Sequence, residues 1–233
     1  MKEVYIIGDV HGNIKTLIGL INKLPCKKED IYMVGDLIDR GPNSPAVIEY
    51  IINNNINMVL GNHEESMVLA YENKSDYQLW DMTYGSETIK QYKNTPLLFK
   101  KHYQYLKKQP YYTILDIIDD NNRKLLITHS TIIDILKTKD ISFLKSDDIL
   151  WNRKIPTNIS SDYFNVSGHN IVEHFIRNKN GFIKPSFDIT TLIEGAIIDD
   201  NLGYANIDTD VEKDCLTAIS FPSKLLFKQI NID

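Results

Sequence analysis

The feature that most limits how this chain can fold is an apolar run followed by a polar, glycine-marked loop, which occurs three times at nearly equal intervals. The loops are residues 8–12 (Gly-Asp-Val-His-Gly), 35–41 (Gly-Asp-Leu-Ile-Asp-Arg-Gly) and 61–64 (Gly-Asn-His-Glu). Asp9 and Asp36 are 27 residues apart, and Asp36 and Asn62 are 26 apart. A βαβ unit takes ~30 residues. The chain is therefore predicted to begin with three adjacent parallel strands.

The intervals between the loops carry helix signals. Residues 14–24 have apolar side chains at helical spacing, and Ser44 followed by Pro45 is typical of the start of a second helix. Parallel strands joined by such helices end at one edge of the sheet, and in open α/β sheets that edge binds ligands. We expect the polar side chains of the loops to meet there: Asp9, His11, Asp36 and Asn62.

Composition limits the classes of protein. A chain of 233 residues with 42% hydrophobic content can bury a sizeable core, and we expect a single domain over residues 1–233. The net charge of -5 argues against a nucleic-acid partner. The absence of a signal peptide and of any apolar run near ~18 residues predicts no membrane partner. Cys26 and Cys215 lack metal-type spacing, which favours reduced thiols in a cytoplasmic protein, and we expect a monomer.

The rest of the chain divides into a helical and a strand-rich part. Residues 65–110 are predicted to form a helical insert on one edge of the sheet, with Trp80 and Tyr84 in its core. Residues 111–118 and 124–128 predict a hairpin. Five short runs in the tail predict strands of a second, mainly antiparallel sheet: 181–183, 196–198, 205–207, 216–219 and 225–227.

Four of the six histidines follow strand-like runs: His11, His63, His129 and His169. Together with carboxylates and an amide oxygen, imidazole forms a moderately hard ligand set that suits Mn, Fe or Zn. We assign one metal ion to Asp9, His11 and Asp36, and the other to Asp36, Asn62, His129 and His169. Two ions about 3.5–4 Å apart can hold a water molecule between them and lower its pKa to about 7. This arrangement predicts phosphoester hydrolysis by direct attack of a metal-bridging hydroxide.

The leaving group of such a reaction needs a proton. His63 follows the predicted ligand Asn62 and can serve as general acid, provided that a carboxylate keeps its imidazole protonated. Asp39, in the central loop, is available for that task. The two are predicted to act as an acid pair.

Positive charge for the phosphate is expected from arginine, because a planar guanidinium can bind two phosphate oxygens at once. Arg40 lies in the central loop, and Arg153 follows Trp151 and Asn152. We assign both to substrate binding. The remaining arginines, Arg123 and Arg177, lie in turns rich in Lys and Asn and are expected to be solvated.

Taken together, the loops resemble the phosphoprotein phosphatase family of metallophosphoesterases, in particular its small bacterial and phage Ser/Thr phosphatases. That family carries G-D-x-H-G, G-D-x-x-D-R-G and G-N-H-E in this order, then a metal-binding His, here His129, and a Gly-His, here residues 168–169. The resemblance implies a four-layer αββα sandwich of two mixed β-sheets, two divalent ions, most often manganese, and phosphoprotein or small phosphoester substrates. It also implies the same ligands, acid pair and arginines.

One departure from the family bears on the substrate. Leu60 stands where these phosphatases usually place an arginine, whereas leucine is common there in the related symmetrical dinucleoside tetraphosphatases. Those relatives usually lack the aspartate found here as Asp39. We therefore expect a Ser/Thr phosphoprotein phosphatase, with a symmetrical dinucleoside tetraphosphate hydrolase as the alternative.

Two further alternatives have less support. A metallonuclease of the same superfamily usually ends in G-H-x-H, and residues 168–171 contain a single histidine. A pseudophosphatase that acts only as an interaction module would have lost a ligand or the acid residue, and none is missing.

Overall fold

The computed structural model describes residues 2–160, 162–172, 192–193 and 196–233. Within these ranges the chain forms two β-sheets, one of five strands and one of six, packed face to face and flanked by helices. The predicted α/β sandwich of two mixed sheets is confirmed. No helix in the described ranges has the length and apolar character needed to cross a bilayer.

Eleven strands occur in the described ranges: β1 (Val4–Ile7), β2 (Ile31–Met33), β3 (Asn57–Met58), β4 (Tyr112–Ile118), β5 (Lys124–Thr128), β6 (Tyr163–Ser167), β7 (Leu192–Ile193), β8 (Ala196–Asp199), β9 (Tyr204–Asn206), β10 (Cys215–Phe221) and β11 (Leu226–Ile230). The α-helices there are α1 (Ile14–Ile21), α2 (Ser44–Asn53), α3 (Asn62–Glu72), α4 (Lys74–Trp80), α5 (Ser86–Tyr92), α6 (Pro96–Leu106), α7 (Ile133–Leu136) and α8 (Ser146–Leu150). Short 3-10 helices cover Lys28–Asp30 and Ile141–Phe143, and a π-helix covers Asp81–Gly85.

The first sheet has the order β11-β10-β1-β2-β3. Its strands β1, β2 and β3 are parallel and are joined by α1 and α2, as the loop spacing predicts. The antiparallel strands β10 and β11 complete this sheet, although the tail strands were expected in the second one. The reason is burial, because Leu216 of β10 packs toward the helices while Phe221 packs toward the second sheet. A strand buried on both faces fits the interior of a sheet.

The second sheet has the order β4-β5-β6-β9-β8-β7. Strands β4 and β5 form the predicted antiparallel hairpin. Strands β5, β6 and β9 are parallel, so the sheet is mixed rather than mainly antiparallel. The predicted strand at residues 181–183 lies outside the described residues.

The core follows the alternation of side chains along the strands. In β1, Val4 and Ile6 face the second sheet, where Phe164 and Val166 meet them, while the residues between them face α1 and α2. On the outer face of the second sheet, Ile197 packs against the short helix α7. Because the two sheets pack face to face, the strand ends of the first sheet lie beside those of the second.

Helix α3 begins at Asn62, three residues earlier than the predicted helical insert. Gly61 is its N-cap, and the Glu64 carboxylate accepts the Gly61 backbone N–H at 3.0 Å, which is one half of a capping box. Trp80 is 1% exposed and belongs to the core, as predicted, while Tyr84 is half-buried. The helical segment therefore begins inside the third polar loop.

Arg123 was expected to be solvated, and this prediction was wrong. Its side chain is 3% exposed, donates to Asp119 Oδ2 at 2.7 and 2.9 Å and to the Asp200 carbonyl at 2.8 Å, and lies over the Phe164 ring. The hairpin turn folds the arginine back onto the sheet, where Asp119 compensates the buried charge. Arg177 lies outside the described residues.

Candidate active site

The polar loops meet where the two sheets lie side by side. Asp9 and His11 follow β1, Asp36 follows β2, and Asn62 begins α3 beyond β3. The second sheet contributes His129 after β5 and His169 after β6. All six predicted ligands are at most 7% exposed: Asp9, His11, Asp36, Asn62, His129 and His169.

Asp36 lies at the centre of this group. Its Oδ2 atom is 3.8 Å from His11 Nε2 and 3.6 Å from His63 Nε2, and its Oδ1 atom is 3.3 Å from His129 Nε2. Two sets of nitrogen and oxygen atoms within 4.8 Å of one another result: His11, Asp36 and His63, and Asp36, His129 and His169. The two sets share one carboxylate, which is the geometry of a bridged pair of metal ions.

His129 offers an unprotonated nitrogen atom to the second set. Its Nδ1 atom donates to the Val34 carbonyl at 2.9 Å, which leaves the lone pair of the neutral ring on Nε2. Burial lowers the pKa of His169 to about 2 and also lowers that of His129, so both rings are neutral at pH 7. The lone pair of His129 Nε2 faces that of Asn62 Oδ1 at 2.8 Å, and a cation between them would remove the repulsion.

In the first set, His11 likewise offers an unprotonated nitrogen atom. His11 Nδ1 donates to the Ile38 carbonyl at 2.8 Å, so the Nε2 lone pair of the neutral ring points toward Asp36. Burial, aided by the charge of His63, lowers the pKa of His11 to about 3. A neutral imidazole with a fixed tautomer is the form that binds metals.

Asp9, predicted as a ligand, belongs to neither set. Its Oδ2 atom accepts the His169 backbone N–H at 3.0 Å, and its buried Oδ1 atom has no hydrogen-bond partner. Burial, together with the charges of Asp208 and Asp36, raises the pKa of Asp9 well above its usual value. A buried carboxylate oxygen without a donor fits a cation ligand. The residues of this site thus fit two divalent ions.

The two residues predicted as an acid pair, Asp39 and His63, are in contact. Asp39 Oδ2 lies 2.7 Å from His63 Nδ1 and accepts the Trp80 indole N–H at 2.9 Å. Burial lowers the pKa of His63, but the charges of Asp36 and Asp39 outweigh burial and raise it overall. His63 therefore keeps its proton at higher pH than the other histidines of the site. The half-buried Tyr84 ring covers it, with ring centroids 4.2 Å apart.

The two predicted phosphate arginines are exposed at the rim of the site. Burial lowers the pKa of His11, and the Arg40 guanidinium adds to that lowering. Burial likewise lowers the pKa of His169, and Arg153 adds to it. Each arginine thus acts electrostatically on one side of the centre, and neither guanidinium has a hydrogen-bond or ion-pair partner among the residues that the structure describes.

The backbone of the site is unusual. Five residues other than glycine lie in the left-handed region: His11 (φ 43°), Asp36 (48°), Asp39 (69°), Arg40 (64°) and His169 (67°). Such conformations cost about 1–3 kcal/mol each and concentrate at functional sites. Close approach matters as well, since a Cβ atom on Gly168 would lie 1.9 Å from Asp9 Oδ1. The loops are held in these conformations by the hydrogen bonds around them.

Glu64 is the residue of the site that sequence reasoning missed. Its carboxylate is fully buried and accepts the backbone N–H groups of Asp36 and Leu37 at 2.8 Å each, besides that of Gly61. It thereby joins the second and third loops. The signal was the capping-box spacing between the N-cap Gly61 and Glu64. The sequence also did not reveal that Trp80, besides packing in the core, donates its indole N–H to Asp39.

Two packed sheets carry a buried cluster of His and Asp side chains at their common edge, and this cluster could hold metal ions. The family model described as Calcineurin-like phosphoesterase matches residues 2–189, and the chain belongs to this family. Its placement in the phosphoprotein phosphatase branch stays a prediction.

Named relatives cover only part of the chain. A symmetrical bis(5'-nucleosyl)-tetraphosphatase of Buchnera aphidicola subsp. Baizongia pistaciae is 29% identical over 140 residues, 55% of this chain and 43% of the relative. A zinc-dependent endopolyphosphatase of Saccharomyces cerevisiae is 39% identical over 100 residues, 37% of this chain and 30% of the relative. The chain thus matches less than half the length of these curated relatives.

The fold is also found among solved structures. A structure described as a putative diadenosine tetraphosphatase superposes with a TM-score of 0.60 at 17% identity, covering 97% of this chain and 92% of that chain. At this identity the likeness concerns the fold. It agrees with the two-sheet architecture described above.

Proposed function

We propose that this protein hydrolyses dinucleoside tetraphosphates symmetrically and uses two divalent ions to do so. The sequence placed phosphoproteins first and this activity second. The order is now reversed, and Leu60 is the observation on this chain that carries the proposal. The names of the curated relatives support the reversal, since they denote a tetraphosphatase and an endopolyphosphatase.

Leu60 precedes the third loop and is 4% exposed. Its side chain packs in the core between the first sheet and the helices, and its backbone N–H donates to the Pro110 carbonyl at 2.8 Å. Protein phosphatases resembling this chain usually place an arginine at this position. In those phosphatases this arginine is available to bind the substrate phosphate. Here the position holds a buried leucine, which cannot bind phosphate.

The reaction adds water across the central phosphoanhydride bond and releases two nucleoside diphosphates. The water oxygen bonds to the attacked phosphorus, the bridging P–O bond breaks, and the departing diphosphate keeps the bridging oxygen. His63 donates a proton to that oxygen from Nε2, while Asp39 holds the imidazole through Nδ1. Arg40 and Arg153 bind the flanking phosphate oxygens.

Divalent ions held by the ligands assigned from the sequence would activate the attacking water and neutralise charge on the phosphate. These ligands are Asp9, His11, Asp36, Asn62, His129 and His169. The mixed nitrogen and oxygen ligands suit manganese, with iron or zinc as alternatives. Hydrogen bonds to other groups of the chain orient three of these ligands. His11 and His129 have their tautomers set by backbone carbonyls, and Asp36 has its backbone N–H bound by Glu64.

A second candidate is a phosphoprotein phosphatase, and Asp39 favours it. The related symmetrical tetraphosphatases usually lack this aspartate, whereas here it is fully buried against His63 and Trp80. A serine alkoxide is a poorer leaving group than a nucleoside diphosphate and depends more on a strong general acid. The Asp39–His63 pair would meet that demand.

The test compares substrates on protein reconstituted with manganese. Rates on diadenosine tetraphosphate, a phosphoserine peptide and inorganic tripolyphosphate are measured under one condition, and the nucleotide products are separated by chromatography. The proposal expects the dinucleotide to have the highest kcat/KM and ADP to be the sole nucleotide product. Preference for the phosphopeptide would overturn it in favour of the second candidate.

A further inference from the structure

A cavity of about 470 Å³ lies between α7 with the segment that follows it and α8 with the segment that follows it. Its lining includes Lys139, Asp147, Asp148, Trp151, Asn152 and Lys154. The proposed reaction assigns no role to this space.

Trp151 connects the cavity to the metal centre. Its indole stands perpendicular to the His169 imidazole, with ring centroids 5.9 Å apart and an interplanar angle of 88°. The side chain is 39% exposed and lines the cavity. An aromatic residue that touches a metal-site histidine on one side and solvent on the other offers a flat surface for a ligand that reaches out of the site.

The segment that carries Trp151 is held firmly against the metal-site loops. The Asn152 side-chain amide donates to the Thr131 carbonyl at 2.5 Å, and its backbone N–H donates to Ser130 Oγ at 3.2 Å. From the other side, the Asn170 side chain donates to the Asn152 carbonyl at 3.0 Å. The backbone next to the indole is therefore tied to the loops that carry His129 and His169, and a ligand would have less of the chain to order.

The charge of the cavity wall disfavours phosphate and favours a nucleobase. Three carboxylates, those of Asp134, Asp147 and Asp148, line the cavity together with two ammonium groups, those of Lys139 and Lys154, and Lys139 lies 3.5 Å from Asp148. Carboxylates repel phosphate but accept hydrogen bonds from the exocyclic amine of a base such as adenine. The phosphate-binding charges, Arg153 among them, lie on the side of the metal centre.

We infer that Trp151 and this cavity form a nucleobase subsite. One base of the substrate stacks on the indole while the phosphate chain leads from there to the metal centre. This inference rests on the proposed function and deepens it, because it identifies the group that distinguishes a nucleotide from a bare polyphosphate. Base stacking on an aromatic side chain strengthens binding by roughly tenfold or more.

Intrinsic fluorescence tests the contact directly. The chain contains two tryptophans, and Trp80 is 1% exposed, so emission from an exposed indole reports Trp151. On the manganese-loaded protein, ADP and adenosine are expected to quench this emission, whereas pyrophosphate is not. Equal quenching by pyrophosphate, or none by ADP, would overturn the inference.

Calorimetric titration with ADP and pyrophosphate extends the test to variants. We expect Trp151→Leu to weaken ADP binding by about tenfold and Trp151→Phe to retain most of it, because phenylalanine still stacks. The matched control is Phe143→Leu, an exposed aromatic side chain that does not line the cavity. Equal ADP affinity in Trp151→Leu and the parent protein, or an equal loss for pyrophosphate, would contradict the subsite.

The two proposals fail separately. If the parent protein prefers a phosphopeptide to diadenosine tetraphosphate, the proposed function is wrong, whatever ADP does to the fluorescence. If the dinucleotide is the preferred substrate but Trp151→Leu leaves the ratio of its kcat/KM to that of tripolyphosphate unchanged, the subsite is wrong and the function stands.

Discussion

The two sheets build their halves of the metal centre in different ways. The loops of the first sheet are bound to each other through the backbone, because the N–H groups of Val10 and His11 both donate to the Asp36 carbonyl at 2.9 Å and Glu64 joins the second loop to the third. The second sheet contributes single histidines at strand ends. They meet the first sheet through His129 Nδ1 on the Val34 carbonyl and through the His169 N–H on Asp9.

This difference explains what a sequence can reveal. A half-site made from interlocked backbone requires particular residues at several consecutive positions, so it leaves contiguous motifs. A half-site made from one side chain at the end of a strand leaves only an isolated histidine. The first half should therefore tolerate substitution less than the second, and the following experiments test that asymmetry.

The largest effect is expected for the carboxylate that both halves share. Asp36→Asn should lose both manganese ions and lower kcat by about a thousandfold or more, because several kcal/mol of charge stabilisation depend on the metals. His169→Asn should lose one ion. Equilibrium dialysis with metal analysis counts them, and Asp116→Asn, an exposed carboxylate on β4, is the control. Two ions in Asp36→Asn, or none in His169→Asn, would contradict the shared geometry.

The next largest loss of activity is expected for the general acid, His63. His63→Asn should lower kcat by about 10²–10⁴-fold and leave two ions bound, because general acid catalysis is lost and the predicted ligands remain. However, His63 lies close enough to His11 and Asp36 to bind a metal ion with them, in which case the variant would lose an ion. Loss of one ion in this variant would make His63 a ligand rather than the acid. Unchanged turnover would remove it from the mechanism.

Stability should show the same asymmetry between the halves. Glu64→Ala should lower the free energy of unfolding by about 3 kcal/mol, because it leaves several buried N–H groups without an acceptor. In the second sheet, Asn165 receives the Ile132 N–H at 3.1 Å and donates to Thr128 Oγ1 at 2.8 Å, and Asn165→Ala should cost about 1–2 kcal/mol. Urea unfolding of both variants measures this. A larger loss of unfolding free energy for Asn165→Ala than for Glu64→Ala would contradict the expected asymmetry.

The smallest effect concerns a site outside both halves. Burial lowers the pKa of His102, which lies between Tyr92 and Glu49, although Glu49 opposes the shift. The unfolded chain then binds a proton more readily than the folded one, so the free energy of unfolding should decrease as pH falls below about 6.5. His102→Asn should flatten this dependence between pH 7.5 and 5.5. An unchanged slope would show that other groups cause it.

Much of the first half-site could be predicted from the sequence. Asp36 and Asn62 were placed correctly at strand ends because the strand and loop signals are contiguous, and His129 and His169 were found because each follows an apolar run. The left-handed backbone at Asp36 and His169 could not be predicted, because residues other than glycine adopt it only when tertiary contacts impose it. Glu64 was missed because the backbone N–H groups of Asp36 and Leu37, which donate to its carboxylate, lie on a loop more than twenty residues away.

The fold was predicted in outline, but the prediction was wrong about the parallel strands of the second sheet and about the two features that follow. Strands β10 and β11 belong to the first sheet, not the second. The sequence of a short strand does not indicate which strand it pairs with, so this placement was not predicted. Arg123 is buried, since its ion pair with Asp119 forms only after the turn has folded. Both errors concern long-range or tertiary contacts, which periodicity does not encode.

The most direct test of the account is crystallography of manganese-soaked protein, with diffraction recorded at the manganese absorption edge. We predict two anomalous peaks, one on each side of the Asp36 carboxylate, with His11 near one and His129 and His169 near the other. A single peak, or two peaks that do not share Asp36, would contradict the dinuclear centre on which the proposed activity depends.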